Sequence, residues 1–340
     1  MGARTAALAL AFGLAVLAAG LQAAGYDAGA ALTAMWRGAA GSWYALTSAT
    51  LVRAIPLILV GLGIAVAFRA GAFNIGAEGQ FYAGAIAATW VGLHVAGWPP
   101  PAAIALVLAT ATLAGAAWVV VPVWLKLRFD VLEVISTLLL SFVAESLVSL
   151  MVQGPLQEAQ HIYPQSDPIA AAARLPLLPG TRLHAGLALA VVAAVALWYL
   201  FGRTLWGFRL KAVGAGPRAA EISGRIDARR TAAVALLGSG ALAGLAGGVE
   251  VSGVSYALFQ NLSPGYGFTA IAVALLARLH PLGVLATGLL FGALEAGAGA
   301  MQRDADVPAV AVYVVEAVVI IVVLLAEAAA RRGRAERATS

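Results

Sequence analysis

Seven acidic or amide side chains of this 340-residue sequence stand where their chemistry is expensive. Glu145, Glu250, Glu295 and Glu316 interrupt long apolar runs, and Asn74, Glu78 and Gln80 crowd into Phe68–Gln80 with Gly71, Gly76 and Gly79. A charge in hydrocarbon costs ~3 kcal/mol on insertion scales, so such a group faces a bundle interior, a partner or a water-filled cavity. Taken singly, each glutamate reads most simply as structural, bonded to a neighbouring helix or paired with Arg53 at comparable depth. Taken together, the four argue for a polar cavity able to hydrogen-bond the hydroxyls of a solute. The 68–80 segment has two readings. Glycines break a helix and polar side chains satisfy the freed backbone, as in a broken helix lining a path through a membrane. A tight cytoplasmic turn with solvated polar groups has the same composition.

Catalytic chemistry finds no purchase. With no cysteine there is no disulfide framework, iron–sulfur cluster or thiol nucleophile. His94, His161, His184 and His280 are scattered without metal-ligand spacing. A phosphate-binding P-loop needs Gly-Lys-Ser/Thr, whereas Lys126 and Lys211, the two lysines, follow Trp124-Leu125 and Arg209-Leu210. No cofactor is expected on this chain; any ATP and Mg would be held by another.

The elements that must position these residues are membrane spans. Apolar residues make up 62% of the chain and charged residues 11%, against about one quarter charged in soluble domains. A spanning helix needs about 20 mostly apolar residues. Ten stretches fit or nearly fit: 5–25, 46–68, 78–97, 101–125, 131–153, 183–201, 231–253, 266–279, 282–300 and 308–330. The expected architecture is an all-α polytopic bundle forming a single transmembrane domain. Its eighth span, running into His280-Pro281, is short or re-entrant. Residues 1–25 resemble a signal peptide but are long for one, and are read as a retained helix.

The basic residues orient the spans. With both termini cytoplasmic, the inside holds Arg4, Arg69, Lys126, Arg128, Arg278, seven residues from Arg203 to Arg230 and four in the 331–340 tail. Only Arg37, Arg53, Arg174, Arg182 and Arg303 fall outside. Sixteen of 21 on one side follows the positive-inside rule, so the net charge of +5 does not point to nucleic acid.

Two segments interrupt the spans. Residues 154–182 form a proline-rich extracytoplasmic loop, and 202–230 a basic, amphipathic cytoplasmic loop. The latter suits either anionic lipid headgroups or a groove on a cytoplasmic partner. Glycines at 240, 244 and 248, and at 288 and 292, line single helix faces, as in close helix packing. Trp90, Phe259, Tyr266 and Phe268 are aromatic candidates for stacking a planar solute, or interfacial belt residues.

The stretch GLGIAVAFRAGAFNIGAEGQFYAGA (61–85), above all its octapeptide FNIGAEGQ, resembles the permease subunits of ABC importers for nucleosides and simple sugars, in the branched-chain amino acid/ribose permease superfamily. LWGFRLKAVGAGPRAAEISGRIDARR (205–230) is similar to that family's coupling loop, a G-x-x-P-x-A-A-x-x-x-G-I pattern. Gly214, Pro217, Ala219, Ala220, Gly224 and Ile226 match it, with Arg225 inserted before the isoleucine.

The resemblance implies a permease in the bacterial inner membrane, most closely one for nucleosides, with a simple-sugar permease as the alternative. It implies that the loop, with Glu221 among its residues, docks into a cytoplasmic ABC ATPase. Asn74–Gln80 would then lie in or beside the substrate path. Expected partners are that ATPase, a substrate-binding lipoprotein and a second, non-identical permease in preference to a homodimer. An ion-coupled secondary transporter using the glutamates as proton relays is the reading from another class.

Overall fold

The computed structural model describes residues 13, 15–222, 226–308, 314, 317 and 321. Among these the chain is helical without strands, and two isolated bridges join Gln165 to Phe259 and Leu177 to His184. Eleven helices concern the fold: α1 (Ala28–Ala40), α2 (Trp43–Arg69), α3 (Ala77–His94), α4 (Pro100–Phe129), α5 (Glu133–Val152), α6 (Gly186–Arg203), α7 (Leu205–Ala215), α8 (Pro217–Ile222), α9 (Ala228–Ser255), α10 (Tyr266–Leu276) and α11 (Pro281–Asp304). Six of them, α2, α4, α5, α6, α9 and α11, are long and apolar enough to cross a bilayer. The chain is thus a multi-pass helical membrane protein.

The expected spans at 46–68, 101–125, 131–153, 183–201, 231–253 and 282–300 coincide with these six. Residues 5–12 and 14 of the 5–25 stretch, most of 308–330 and the 331–340 tail lie outside the described residues. Helix α1 is an addition: the sequence reading leaves 26–45 as a connection, because thirteen residues are too few for a span. Asp27 starts it, its Oδ1 accepting the Ala30 N–H at 2.9 Å. Helix α10 has 11 residues. At 1.5 Å per residue that is about half of a ~30 Å hydrocarbon core, in keeping with a shortened eighth span. Two left-handed residues, Arg278 and Leu279, end the turn after it before Pro281 opens α11.

Two compact units divide the chain, residues 54–288 and the paired ends 1–53 and 289–340. In the larger unit the centre is α3 with α9, and α4 packs on both. Its close approach is built on glycine. A Cβ at Gly244 would run into the Ala111 carbonyl and the Gly115 backbone, and one at Gly248 would stand 2.5 Å from the Ala111 Cβ. Gly240 likewise lies on Gly115. The glycine face of α9 is therefore used within the chain, against α4. Burial separates inner from outer helices: 83% of the most apolar window of α2 is buried, against 28% for α4 and 17% for α6. The last two present apolar side chains outward, as lipid allows.

In the smaller unit, α1 lies along α11. Gly38 meets Ala300, and Gly297 meets the Met35 side chain. The Thr50 hydroxyl, in a π-helical turn over Leu46–Thr50, donates to the Ala39 carbonyl at 2.6 Å.

Candidate functional site

The FNIGAEGQ stretch folds as a non-helical link and a helix start, after the turn that ends α2. Helix α2 ends in a turn with Gly71 at φ 73°, Ala72 N–H returning to the Ala67 carbonyl at 3.1 Å. The chain then runs without regular structure to Gly76, where α3 begins. Asn74 and Gln80 close on each other. Asn74 Nδ2 donates to Gln80 Oε1 at 2.7 Å, and Gln80 Nε2 donates back to Asn74 Oδ1 at 2.9 Å. Asn74 Nδ2 also donates to Ser239 Oγ on α9, and Asn74 Oδ1 accepts the Gly76 N–H. Both amides are fully buried, and their groups are met by protein.

Glu78, in the first turn of α3, reaches another helix start. One carboxylate oxygen accepts the Gly267 N–H at 2.5 Å, at the head of α10. The Ser263 hydroxyl oxygen accepts the Gly265 and Tyr266 N–H groups at 3.1 and 2.9 Å. An α-helix leaves its first N–H groups without intrahelical partners. Glu78 and Ser263 satisfy those of α10 inside the bundle, where water is scarce. A Cβ at Gly267 would clash with the Glu78 backbone, so the two helix starts touch directly.

Beside this junction lies a polar cavity of 290 Å³ lined by Tyr82, Glu145, Ser146, Ser149, Gln260 and Asn261. The Tyr82 hydroxyl donates to the Ser263 carbonyl at 3.4 Å. Ser149 Oγ accepts from both Gln153 and Gln260, each at 2.7 Å. Glu145 is exposed to this space, and no basic side chain lines it. The arrangement offers hydroxyl, amide and carboxylate groups to a neutral polar molecule.

Of the four expected glutamates, Glu145 and Glu250 belong to the larger unit and only Glu145 lines the polar cavity. Glu250 is buried on α9 just before a π-helical turn over Val251–Ser255 and is absent from the cavity wall. Glu295 belongs to the smaller unit, where the Arg53 guanidinium lies near Gly299, one turn along α11. Glu316 lies outside the described residues. Of the aromatic candidates, Tyr266 is buried edge-on to Phe81 at 5.9 Å, while Trp90 lines an apolar pocket between α3, α4 and α5. None of the four lines the polar cavity. Sequence reasoning missed Tyr82, Ser149, Gln260 and Asn261; the polar pair Gln260-Asn261 before Ser263-Pro264-Gly265 was the available signal.

The 202–230 loop forms α7 and α8. Thr204 caps α7 through the Gly207 N–H at 3.2 Å. Leu210 is buried against Val66, Ala70 and Ala235, and Ala220 of α8 packs with Val213 and Ala228. Gly214 sits on the Arg69 carbonyl with no room for a side chain. On the outer side Leu205, Phe208 and Ile222 are exposed at 78%, 63% and 86%. Leu205, Phe208, Arg209, Ala212, Ala219 and Ile226 line a 680 Å³ groove there. Pro217 and Glu221 line a second, 500 Å³ cavity with Phe73 and Lys126, whose ammonium pairs with Asp130 at 3.3 Å and Glu133 at 3.4 Å. Gly224 lies outside the described residues. Among the described residues no group of His, Asp and Glu is placed to hold a metal.

A glucose ABC transporter permease protein of Haloferax volcanii is 41% identical, over 82% of this chain and 75% of its own length. A guanosine ABC transporter permease protein of Bacillus subtilis is 36% identical over 92% of this chain and 90% of its own. A nucleoside ABC transporter permease protein of Lactococcus lactis is 35% identical over 77% and 75%. The latter two organisms each have a second, less similar match whose name gives the same cargo, at 28% and 27% identity. No solved structure matches. Residues 46–324 match the model of the branched-chain amino acid transport system/permease component family, and the chain belongs to that family of ABC transporter permeases.

Proposed function

We propose that this chain is the membrane-spanning subunit of an ATP-driven nucleoside importer of the bacterial inner membrane. It has ten spans and both termini in the cytoplasm. The observation that carries the cargo assignment is the guanosine permease relative, aligned over 92% of this chain. The 290 Å³ cavity supports it: Glu145, the amides of Gln260 and Asn261, and the Ser146 and Ser149 hydroxyls suit ribose hydroxyls and base edges.

ATP, with Mg, is bound and hydrolysed on a separate ABC ATPase. That subunit takes the exposed apolar side of α7 and α8, with Glu221, Ala219 and Gly224 in its cleft. Closure of the ATPase moves these helices, and the spans alternate between outward and inward access. A substrate-binding lipoprotein delivers cargo at the outer face. The second permease is a non-identical chain, a reading supported by the paired relatives in Bacillus subtilis and Lactococcus lactis. Binding in the cavity is weak, because a carrier that holds its cargo tightly releases it slowly.

A second reading, a simple-sugar permease, is favoured by the glucose permease relative at 41% identity. The experiment for both is purification of the tagged chain from its native membrane in mild detergent, followed by mass spectrometry and cargo screening. Recovery of a P-loop ATPase and a second permease, with transport of a labelled nucleoside inhibited by other nucleosides and not by glucose, is the expected result. Glucose competition would shift the assignment to sugar, and a chain that purifies and transports alone would end the ABC reading.

A further inference from the structure

FNIGAEGQ looks like a substrate-contact motif, yet its two amides face each other and not a cavity. Asn74 and Gln80 are 0% and 1% exposed, and neither lines the polar cavity or the cytoplasmic one. What they join is more informative. Upstream, the backbone of α7 rests on the Arg69–Gly71 turn at Gly214, so movement of α7 displaces that turn without a compliant side chain between. Three residues on from Gly71, Asn74 is bound to Gln80 of α3 and Ser239 of α9. Downstream, Glu78 and Tyr82 flank Gln80 on α3 and bind the Gly267 N–H and the Ser263 carbonyl at the head of α10. Glu145 and Tyr82 share the cavity wall. The path from coupling helix to cavity is thus continuous within one compact unit.

A link through a non-helical, glycine-flanked segment such as Ala72–Gly76 transmits displacement only if something stiffens it. A reciprocal amide pair supplies that, because a buried amide left without partners is costly and the pair therefore moves as one body. We propose that Asn74 and Gln80 are positioning residues: a rigid joint through which movement of α7 reaches α3, α10 and the cavity. They act through Glu78 and Tyr82, without touching cargo. This rests on the importer reading above.

The test uses the complete transporter, with its ATPase, second permease and binding protein, in proteoliposomes. Cargo uptake and ATP hydrolysis are measured together for wild type, Asn74→Leu, Gln80→Leu and the exchange Asn74→Gln/Gln80→Asn. Loss of one buried hydrogen bond corresponds to about a tenfold change in an equilibrium. The single variants should therefore lower uptake per ATP about tenfold while hydrolysis stays within about twofold and the cargo KM is unchanged. The exchange, which keeps an amide facing an amide, should restore much of the ratio.

If uptake and hydrolysis fall in parallel, the joint is only structural and the proposal fails. If the KM rises with the ratio intact, the amides contact cargo and it fails equally. Should the leucine variants not assemble, Ser239→Ala removes a single arm of the joint and should still lower the ratio, by about twofold to fivefold; an unchanged ratio would overturn the inference. Wild-type vesicles with no ATP-dependent uptake would refute the importer reading itself, a distinct outcome from any of these.

Discussion

Glu78 of α3 accepts a hydrogen bond at 2.5 Å from the Gly267 N–H of α10, joining residues 189 positions apart. The bond places one helix start against another inside the bundle, and makes an 11-residue helix a fixed part of the structure. Removing the acceptor leaves backbone N–H groups unsatisfied. Glu78→Gln keeps an oxygen acceptor and should lose less than about 1 kcal/mol of stability, whereas Glu78→Ala should lose about 2 kcal/mol. Thermal unfolding of the purified protein in detergent checks the order; equal losses would contradict it.

Glu145 behaves in the opposite way. It makes no hydrogen bond or ion pair with the described residues and faces the cavity, so stability owes it little. Glu145→Ala should shift the unfolding temperature negligibly, within the ±0.5 kcal/mol typical of surface changes, and reduce nucleoside uptake by about tenfold or more. Uptake at the wild-type level would remove Glu145 from the site.

The exposed side chains of α7 and α8 give a separable effect. Leu205 and Ile222 are the most exposed of the large apolar residues there, at 78% and 86%. Burying one such side chain at an interface is worth about 1.5–3 kcal/mol. Leu205→Ser and Ile222→Ser should each weaken capture of the ATPase by about tenfold while leaving the permease as stable as before. Glu221→Ala should lower ATP-coupled uptake without affecting membrane insertion. Co-purification yields against a fixed amount of permease provide the measurement.

The glycine face of α9 predicts a steric limit. Gly244→Val would drive methyl groups into the Ala111 carbonyl and the Gly115 backbone, which are not free to retreat. Overpacking costs about 1–3 kcal/mol, and two abutting backbones put this site at the upper end. Yield of folded protein should fall sharply, whereas Gly202→Ala, with open space around it, should be silent.

Acid should loosen the 154–182 loop. The Glu158 carboxylate accepts Gln165 Nε2 at 2.6 Å and the Tyr163 N–H at 2.8 Å, which hold its pKa below the usual carboxylate range. A depressed folded-state pKa means that the contribution is complete above the unfolded value and is lost as pH falls through the folded one. Protease cleavage between residues 158 and 165 should accelerate from about pH 5 downward. Glu158→Gln should cleave at a rate independent of pH over that range.

Much of this was legible in the sequence because lipid rewards apolar length. The runs at 101–125, 131–153 and 231–253 announce α4, α5 and α9 without tertiary information. The helical character of 205–222 was legible in its spacing, and its alternation of Leu210 and Val213 with exposed Leu205 and Phe208 is what lets one face pack. The amide pairing of Asn74 with Gln80 was not legible. Six residues apart across a helix start, their meeting depends on the non-helical link between them and on Ser239 from a helix 165 positions away. The same holds for Glu78 and Gly267, and for the cavity wall drawn from α3, α5 and the 256–265 connection. Helix α1 escaped because thirteen residues with a central Trp-Arg pair carry neither span length nor a strong apolar run.

The measurement closest to the central claim is uptake of labelled guanosine into proteoliposomes holding this chain with its co-purified ATPase and second permease. The account predicts uptake that requires ATP on the cytoplasmic side, survives a proton ionophore and is abolished when the ATPase is omitted. Uptake by this chain alone, driven by a proton gradient and indifferent to ATP, would contradict it.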